Sequence, residues 1–149
     1  TTNVGLELLG TFRRAPLAIT ASYTYVRARE RVNGVTDDVA QTPRHSMGLV
    51  AMIENDDGRI GIEAYYTGRQ RLEANPYRDV SEPYALVGVL IERRVGRLRL
   101  FINLENLTDT RQQRWDPVLR PARDVDGRWT VDAWAPLDGR VINGGVRVQ

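Results

Sequence analysis

The chain has 149 residues, 42% hydrophobic and 27% charged, and its 21 basic and 19 acidic side chains leave a formal charge of +2. That length suits one structural unit better than two, the interspersed charges lack the basic stripe of a nucleic-acid binder, and the absence of cysteine excludes disulfides and thiolate metal sites. No stretch approaches the roughly 20 apolar residues of a membrane-spanning helix, but a transmembrane β-barrel needs only about 9–11 residues per strand, so a mean hydropathy of -0.40 excludes neither a soluble protein nor a barrel.

The chain begins Thr1-Thr2-Asn3-Val4 with no charged segment leading into an apolar run, so no signal peptide is expected here, and a cell-envelope protein starting this way would be processed or incomplete. Period-two alternation then dominates, which predicts strands. Val4, Leu6, Leu8 and Phe12 share one face of the first segment, with Glu7, Thr11 and Arg13 opposite and Leu9 as the exception. Arg13-Arg14-Ala15-Pro16 reverses the chain. The second segment sets Leu17, Ile19, Ala21, Tyr23 and Tyr25 against Ala18, Thr20, Ser22 and Thr24.

The third segment carries Met47, Leu49, Ala51 and Ile53 on one face and ends at Asn55-Asp56-Asp57-Gly58, residues that tolerate the positive φ of a tight hairpin. Ile60, Ile62, Ala64 and Tyr66 follow, alternating with Arg59, Gly61, Glu63, Tyr65 and Thr67. From Tyr84 to Arg93 both faces are apolar, and the pattern assigns no orientation. After a turn at Arg94-Val95-Gly96-Arg97, Leu98, Leu100, Ile102 and Leu104 oppose Arg99, Phe101, Asn103 and Glu105. The last segment sets Ile142, Val146 and Val148 against Asn143, Arg147 and Gln149.

Short links near 14–16, 55–58 and 94–97 thus alternate with long ones near 31–42, 70–82 and 109–138. Membrane barrels show this order, with tight turns at one rim and long loops at the other. Tyr23, Tyr25, Tyr65, Tyr66 and Tyr84 fall towards the long-loop ends of their strands, where an interfacial aromatic girdle is expected, and Phe12 towards the other end. The predicted fold is therefore all-β, an antiparallel transmembrane β-barrel segment of about seven strands.

Two strings are more specific. Asn103-Leu104-Glu105-Asn106-Leu107-Thr108-Asp109 resembles the close of the penultimate strand in TonB-dependent outer-membrane receptors, and Ala135 to Gln149, entered by Pro136-Leu137-Asp138-Gly139-Arg140, resembles that family's last strand. The resemblance implies that residues 1–149 are the C-terminal part of a barrel of about 22 strands, with the plug domain absent. It further implies an outer-membrane location, lipid contact, TonB contact through the missing N-terminal region, and uptake of a scarce nutrient such as a siderophore-iron complex, a metal chelate. The family closes on an aromatic residue whereas this chain ends at Gln149; position 150 shares the parity of Ile142, Val146 and Val148, so trimming by one residue is expected.

In such receptors the ligand meets the outer loops, which makes Arg111 to Trp134 the candidate segment. Trp115, Trp129 and Trp134, with Arg111, Arg114, Arg120, Arg123 and Arg128, are suited to stacking on and pairing with an anionic or aromatic chelate. The first reading is nonetheless a loop whose tryptophans pack on one another, because a loop of this length needs a small core of its own. Asp126-Gly127 signals a type I′ turn and a β-ribbon flanked by Val125 and Arg128. Asp124 and Asp126 lack the further ligands of a calcium loop, so a turn is expected there. His45 has no metal or catalytic partner in sequence, and the Asn106-Leu107-Thr108 sequon is accidental in a strand-end motif. Inward-facing Glu63, Arg99, Glu105 and Arg147 suit a wet lumen or a plug contact. No cofactor, metal site or enzyme constellation is expected. A passive porin-type barrel and a soluble β-sandwich binding module are the alternatives, the latter requiring the apolar faces to pack on each other.

Overall fold

The alternating segments pair into one antiparallel sheet. The computed structural model describes residues 1–148, so the expectations for Gln149 and position 150 lie outside the described residues. The strands are β1 (Thr2–Arg14), β2 (Leu17–Val32), β3 (Val35–Asp38), β4 (His45–Asn55), β5 (Gly58–Thr67), β6 (Tyr84–Val95), β7 (Leu98–Glu105) and β8 (Val141–Val148). Their order is β1-β2-β4-β5-β6-β7-β8, with β3 paired to β2 alone. The seven expected strands are present, and the sheet is open, with β1 and β8 at its edges. No second sheet packs against it among the described residues, so the two-layer sandwich is not the architecture.

Register explains the chemistry of the two faces. Leu8 lies opposite Tyr23, Tyr23 opposite Met47, and Met47 opposite Tyr66. Further down, Ala51 faces Ile62, Ile62 faces Val89, and Val89 faces Leu104, which faces Ile142. Because residues directly across an antiparallel ladder point to the same side, the apolar positions of all seven long strands share one face, which Arg93 joins near the short-turn rim, opposite Leu100. Leu6, Phe12, Ile53 and Ile60 on it are each 53% exposed. An exposed apolar face of this extent marks a surface that meets lipid or another protein element.

Register also settles what alternation left open. In β6, Val87, Val89 and Ile91 align with Ala64, Ile62 and Ile60 and belong to the apolar face, leaving Leu86, Gly88, Leu90 and Glu92 on the polar one. Tyr65 and Tyr84 are a correction. Both lie near the long-loop rim, but Tyr65 pairs with Gly48 and Leu86, and Tyr84 with Thr67, so they face the polar side. The aromatic residues at that end of the apolar face are Tyr23, Tyr25 and Tyr66, with His45 between the first two: the Tyr23 hydroxyl lies 2.9 Å from His45 Nδ1, and Tyr25 and His45 ring centroids are 5.3 Å apart.

The stretch 31–42 is more ordered than the expected loop. β2 runs on to Val32 and folds back as β3 through Asn33 and Gly34, both at positive φ (51° and 84°), which is the two-residue hairpin chemistry of an Asn-Gly pair. The turn after Asn55 needs no positive φ at all. Asn55 Oδ1 accepts hydrogen bonds from the amides of Asp57 and Gly58, at 3.0 and 3.1 Å, so the side chain shapes the turn. At Asp126-Gly127 only Gly127 (φ 84°) is left-handed; its amide bonds to the Asp124 carbonyl and the Asp124 amide to the Arg128 carbonyl. That is a type I turn over Val125-Asp126 closed by a glycine bulge, and the ribbon below it carries one isolated bridge, Leu119 to Thr130.

The buried apolar core is at the long-loop end. Leu72, Trp134 and Ala135 are buried there, with Tyr84 and Trp115 packed against them.

A candidate ligand site at the long-loop end

The string Asn103 to Asp109 turns out to be a junction. Asn106, at φ 50°, donates through Nδ2 to the carbonyls of Thr110 and Asp138 and accepts at Oδ1 from the Thr110 amide. Thr108 and Thr110 both donate to the Ala85 carbonyl at the top of β6, at 2.8 and 2.7 Å. Asp109 Oδ2 holds Arg114 at 2.7 Å and Arg111 at 3.2 Å. Gly139 closes over this carboxylate; a Cβ there would stand 2.6 Å from Asp109 Oδ1. The spacing is what fastens the 106–140 loop to the ends of β6, β7 and β8.

Above the junction, Gln112 is fully buried. Its Oε1 accepts from the amides of Trp134 (2.9 Å) and Ala135 (3.4 Å), and its Nε2 donates to the Asp132 carbonyl. Gln70 Nε2 donates to the Trp134 carbonyl, which ties the 68–83 loop to the same cluster. Burying two amide side chains is tolerable because each is paired.

The eight loop residues singled out by sequence divide into two groups. Trp115 and Trp134 pack on each other in a tilted pair with centroids 5.3 Å apart, and Trp134 is 4% exposed, so both are part of the loop core. Arg111 and Arg114 are paired with Asp109. Arg120 bonds the Ala74 carbonyl at 2.7 Å and pairs with Asp124, and Arg128 pairs with Asp126 and Asp132. Arg123 lies over the Trp129 ring at 4.6 Å, and Trp129 is 50% exposed. Of the eight, Arg123 and Trp129 present their chemistry to the outside.

The structure assembles a second basic group that sequence reasoning missed. A concavity of about 260 Å³ is lined by Ala28, Asp38, Thr42, Arg44, Arg69, Gln70, Arg71 and Val80. Backbone bonds from Val26 to Arg44 and from Gly68 to His45 extend the ladder, so Arg44 and Arg69 are cross-strand neighbours on the polar face. Asp38 takes a 2.5 Å hydrogen bond from Arg44, Arg71 pairs with Asp37 at 3.0 Å, and Arg69 lies 3.7 Å from Glu82. The Arg44 hydrogen bond, with the charges of Arg44 and Arg29, outweighs burial and holds the Asp38 carboxyl below its ordinary pKa. Three forked guanidiniums converge here, each already beside a carboxylate (Asp38, Asp37 or Glu82), so an anion with several oxygens would bind by competing with those pairs. Among the described residues no cluster of three or more His, Cys, Asp or Glu could hold a metal ion. The signal available in sequence was Arg69-Gln-Arg71 directly after a strand, but nothing there linked it to Arg44.

No model of a known protein family matches the chain, and no curated protein does. Solved structures do. The ferric enterobactin receptor of Pseudomonas aeruginosa matches in two mutant forms, with TM-scores of 0.68 and 0.67 and 21% and 22% identity, over 95% of this chain and 21% of the receptor's. The ferric-catecholate import receptor Fiu of E. coli matches with a TM-score of 0.63 and 19% identity, over 95% of this chain and 20% of that one. The chain thus spans about a fifth of the length of these receptors and has the fold of that section. The likeness to the barrel of TonB-dependent receptors holds at the level of fold.

Proposed function

We propose that this chain supplies the last strands and three outer loops of a TonB-dependent outer-membrane transporter that takes up an anionic metal chelate, a ferric siderophore being the fitting class. The observation that carries the reading is the division of one unlayered sheet into a continuous apolar face and a polar face whose loop end holds the Arg44, Arg69 and Arg71 concavity. The apolar face meets acyl chains, the polar face lines the lumen, and the concavity meets the ligand from outside. The receptors of similar fold named above take ferric enterobactin or ferric catecholates, which are polyanionic chelates of the kind a guanidinium cluster recognises.

In this reading Arg123 and Trp129 add an exposed cation and ring at the same rim, while Arg111, Arg114, Trp115, Arg120, Arg128 and Trp134 shape the loop. The open edges at β1 and β8 are closed by the remaining barrel strands, since unpaired edge groups in lipid cost several kcal/mol each. Energy from TonB acts through the plug, and no catalytic chemistry falls to these residues. The test uses the intact protein in detergent. Titration with a ferric catecholate, followed by tryptophan quenching, is expected to show at least about tenfold weaker binding for R44Q/R69Q/R71Q, given the strength of charge-assisted hydrogen bonds. Equal affinity in the triple variant removes the concavity from the ligand site.

A further inference from the structure

β2 is longer than the apolar band it helps to build. On its apolar side Leu17, Ile19, Ala21, Tyr23 and Tyr25 are followed, at the same parity, by Arg27, Arg29 and Arg31. Arg27 lies opposite Val4 and Arg29 opposite Thr2 on β1, so the three guanidiniums leave the sheet on the side of Tyr23 and Tyr25. At about 3.3 Å per residue, Arg27 starts roughly 7 Å beyond Tyr25 along the strand. The column therefore stands just past the Tyr23–His45–Tyr25 aromatic group, where headgroups replace acyl chains.

Its charge exceeds what the neighbouring carboxylates offset, Asp38 opposite Arg29 being the one on this face. Arg27 and Arg31 are exposed and have no ion pair among the described residues. Arg29 reaches Asp38 only at 3.8 Å, and Asp38 is already held by Arg44 at 2.5 Å. Asp37 is held by Arg71, and Glu30 has the opposite parity and belongs to the other face. A column of cations on a lipid-facing strand, above an aromatic rim and with Asp38 beside Arg29 as its one carboxylate partner among the described residues, is complementary to phosphate at that depth.

From this arrangement we propose that Arg27, Arg29 and Arg31 form a docking site for the phosphate groups of outer-leaflet lipid headgroups, separate from the lumen-side arginines. The inference rests on the barrel reading given above. It locates a lipid contact that orients and steadies the loop-side rim next to the β2–β3 hairpin.

The experiment takes the intact protein in phosphatidylcholine nanodiscs containing bisphosphorylated or dephosphorylated lipid A, and measures lipid co-retained on purification. At roughly fivefold per surface arginine, R27Q/R29Q/R31Q is expected to weaken retention of the bisphosphorylated form about a hundredfold, with R27K/R29K/R31K retaining most of it. R27Q alone serves if the triple variant fails to fold. Retention that ignores the substitutions or the lipid's phosphates overturns the proposal, as does full competition by inorganic phosphate, which identifies a free-anion site. A spin label at Leu49 separates the two failures. If lipid-soluble quenchers reach it and phosphate dependence is absent, the arginine column alone is refuted; if they do not, the barrel reading falls with it.

Discussion

The Arg78 guanidinium donates from Nη2 to Asp116 Oδ1 at 2.9 Å, with Nε in ionic contact 2.6 Å from Oδ2, and so joins the 68–83 loop to the 106–140 loop. Asp116 is buried and Arg78 mostly so, and the same guanidinium reaches Glu82 at 3.1 Å and lies 5.7 Å from the Trp134 ring centroid. Separate donors of one guanidinium, Nη1 to Glu82 and Nη2 to Asp116, are what make one arginine serve both loops.

Replacing Asp116 by Asn leaves that cation half-satisfied in a poorly solvated place. Docking of the two loops is expected to weaken by roughly 3 kcal/mol, without loss of the sheet. Hydrogen exchange at Leu72 and Val131, whose amides bond the Asp79 and Val118 carbonyls, reads it directly. Unchanged protection at both amides contradicts the clamp.

Gln112 offers a second test. Gln112→Leu keeps the volume but removes the acceptor shared by the Trp134 and Ala135 amides, leaving two buried donors unpaired at about 1–3 kcal/mol each. Tryptophan emission is expected to shift to the red as Trp115 and Trp134 gain water. A blue spectrum with normal loop protection would show that water or repacking replaces the side chain.

Acid should loosen the outer loops before the strands. Burial by itself raises the Asp109 carboxyl, but the charges of Arg111, Arg114 and Arg140 reverse it, and the net pKa lies below the ordinary value, as it does for Asp38 beside Arg44. A carboxyl depressed on folding stabilises fully above its unfolded pKa of about 3.9, and that contribution is lost as pH falls through the lower folded value. Loop order followed by proteolysis in detergent is therefore expected to be flat from pH 7 to about 4 and to decline below. Asp109→Asn should already be loose at pH 7 and flatten the decline.

The assignment of β6 is testable by position. Spin labels at Leu49, Ile62, Val89 and Ile102 in the intact protein are expected to meet lipid-soluble quenchers, and a label at Leu90 to be shielded from them. The reverse order at Val89 and Leu90 would mean a one-residue slip in the β5–β6 register, since a slip of one exchanges the faces.

Alternation and connection length were legible because they are local: a strand's period of two and the residues of a turn are written consecutively. They determined the all-β class, the seven long strands and which end carries the loops. Asn33-Gly34 is a local signal too, and it marks the β2–β3 hairpin as plainly as any turn in the chain. The face of β6 was not local, because Leu86, Val87, Val89 and Leu90 are equally apolar and only pairing with Ile60, Ile62 and Ala64 distinguishes them. Tyr84 went to the polar face for the same reason, whereas the side of Tyr65 was already written in the parity it shares with Glu63 and Thr67. The basic concavity was decided by tertiary structure altogether. Arg44 and Arg71 stand on different loops, and whether a guanidinium is free or spent depends on which carboxylate the fold brings within about 4 Å, a distance that no spacing in the sequence encodes.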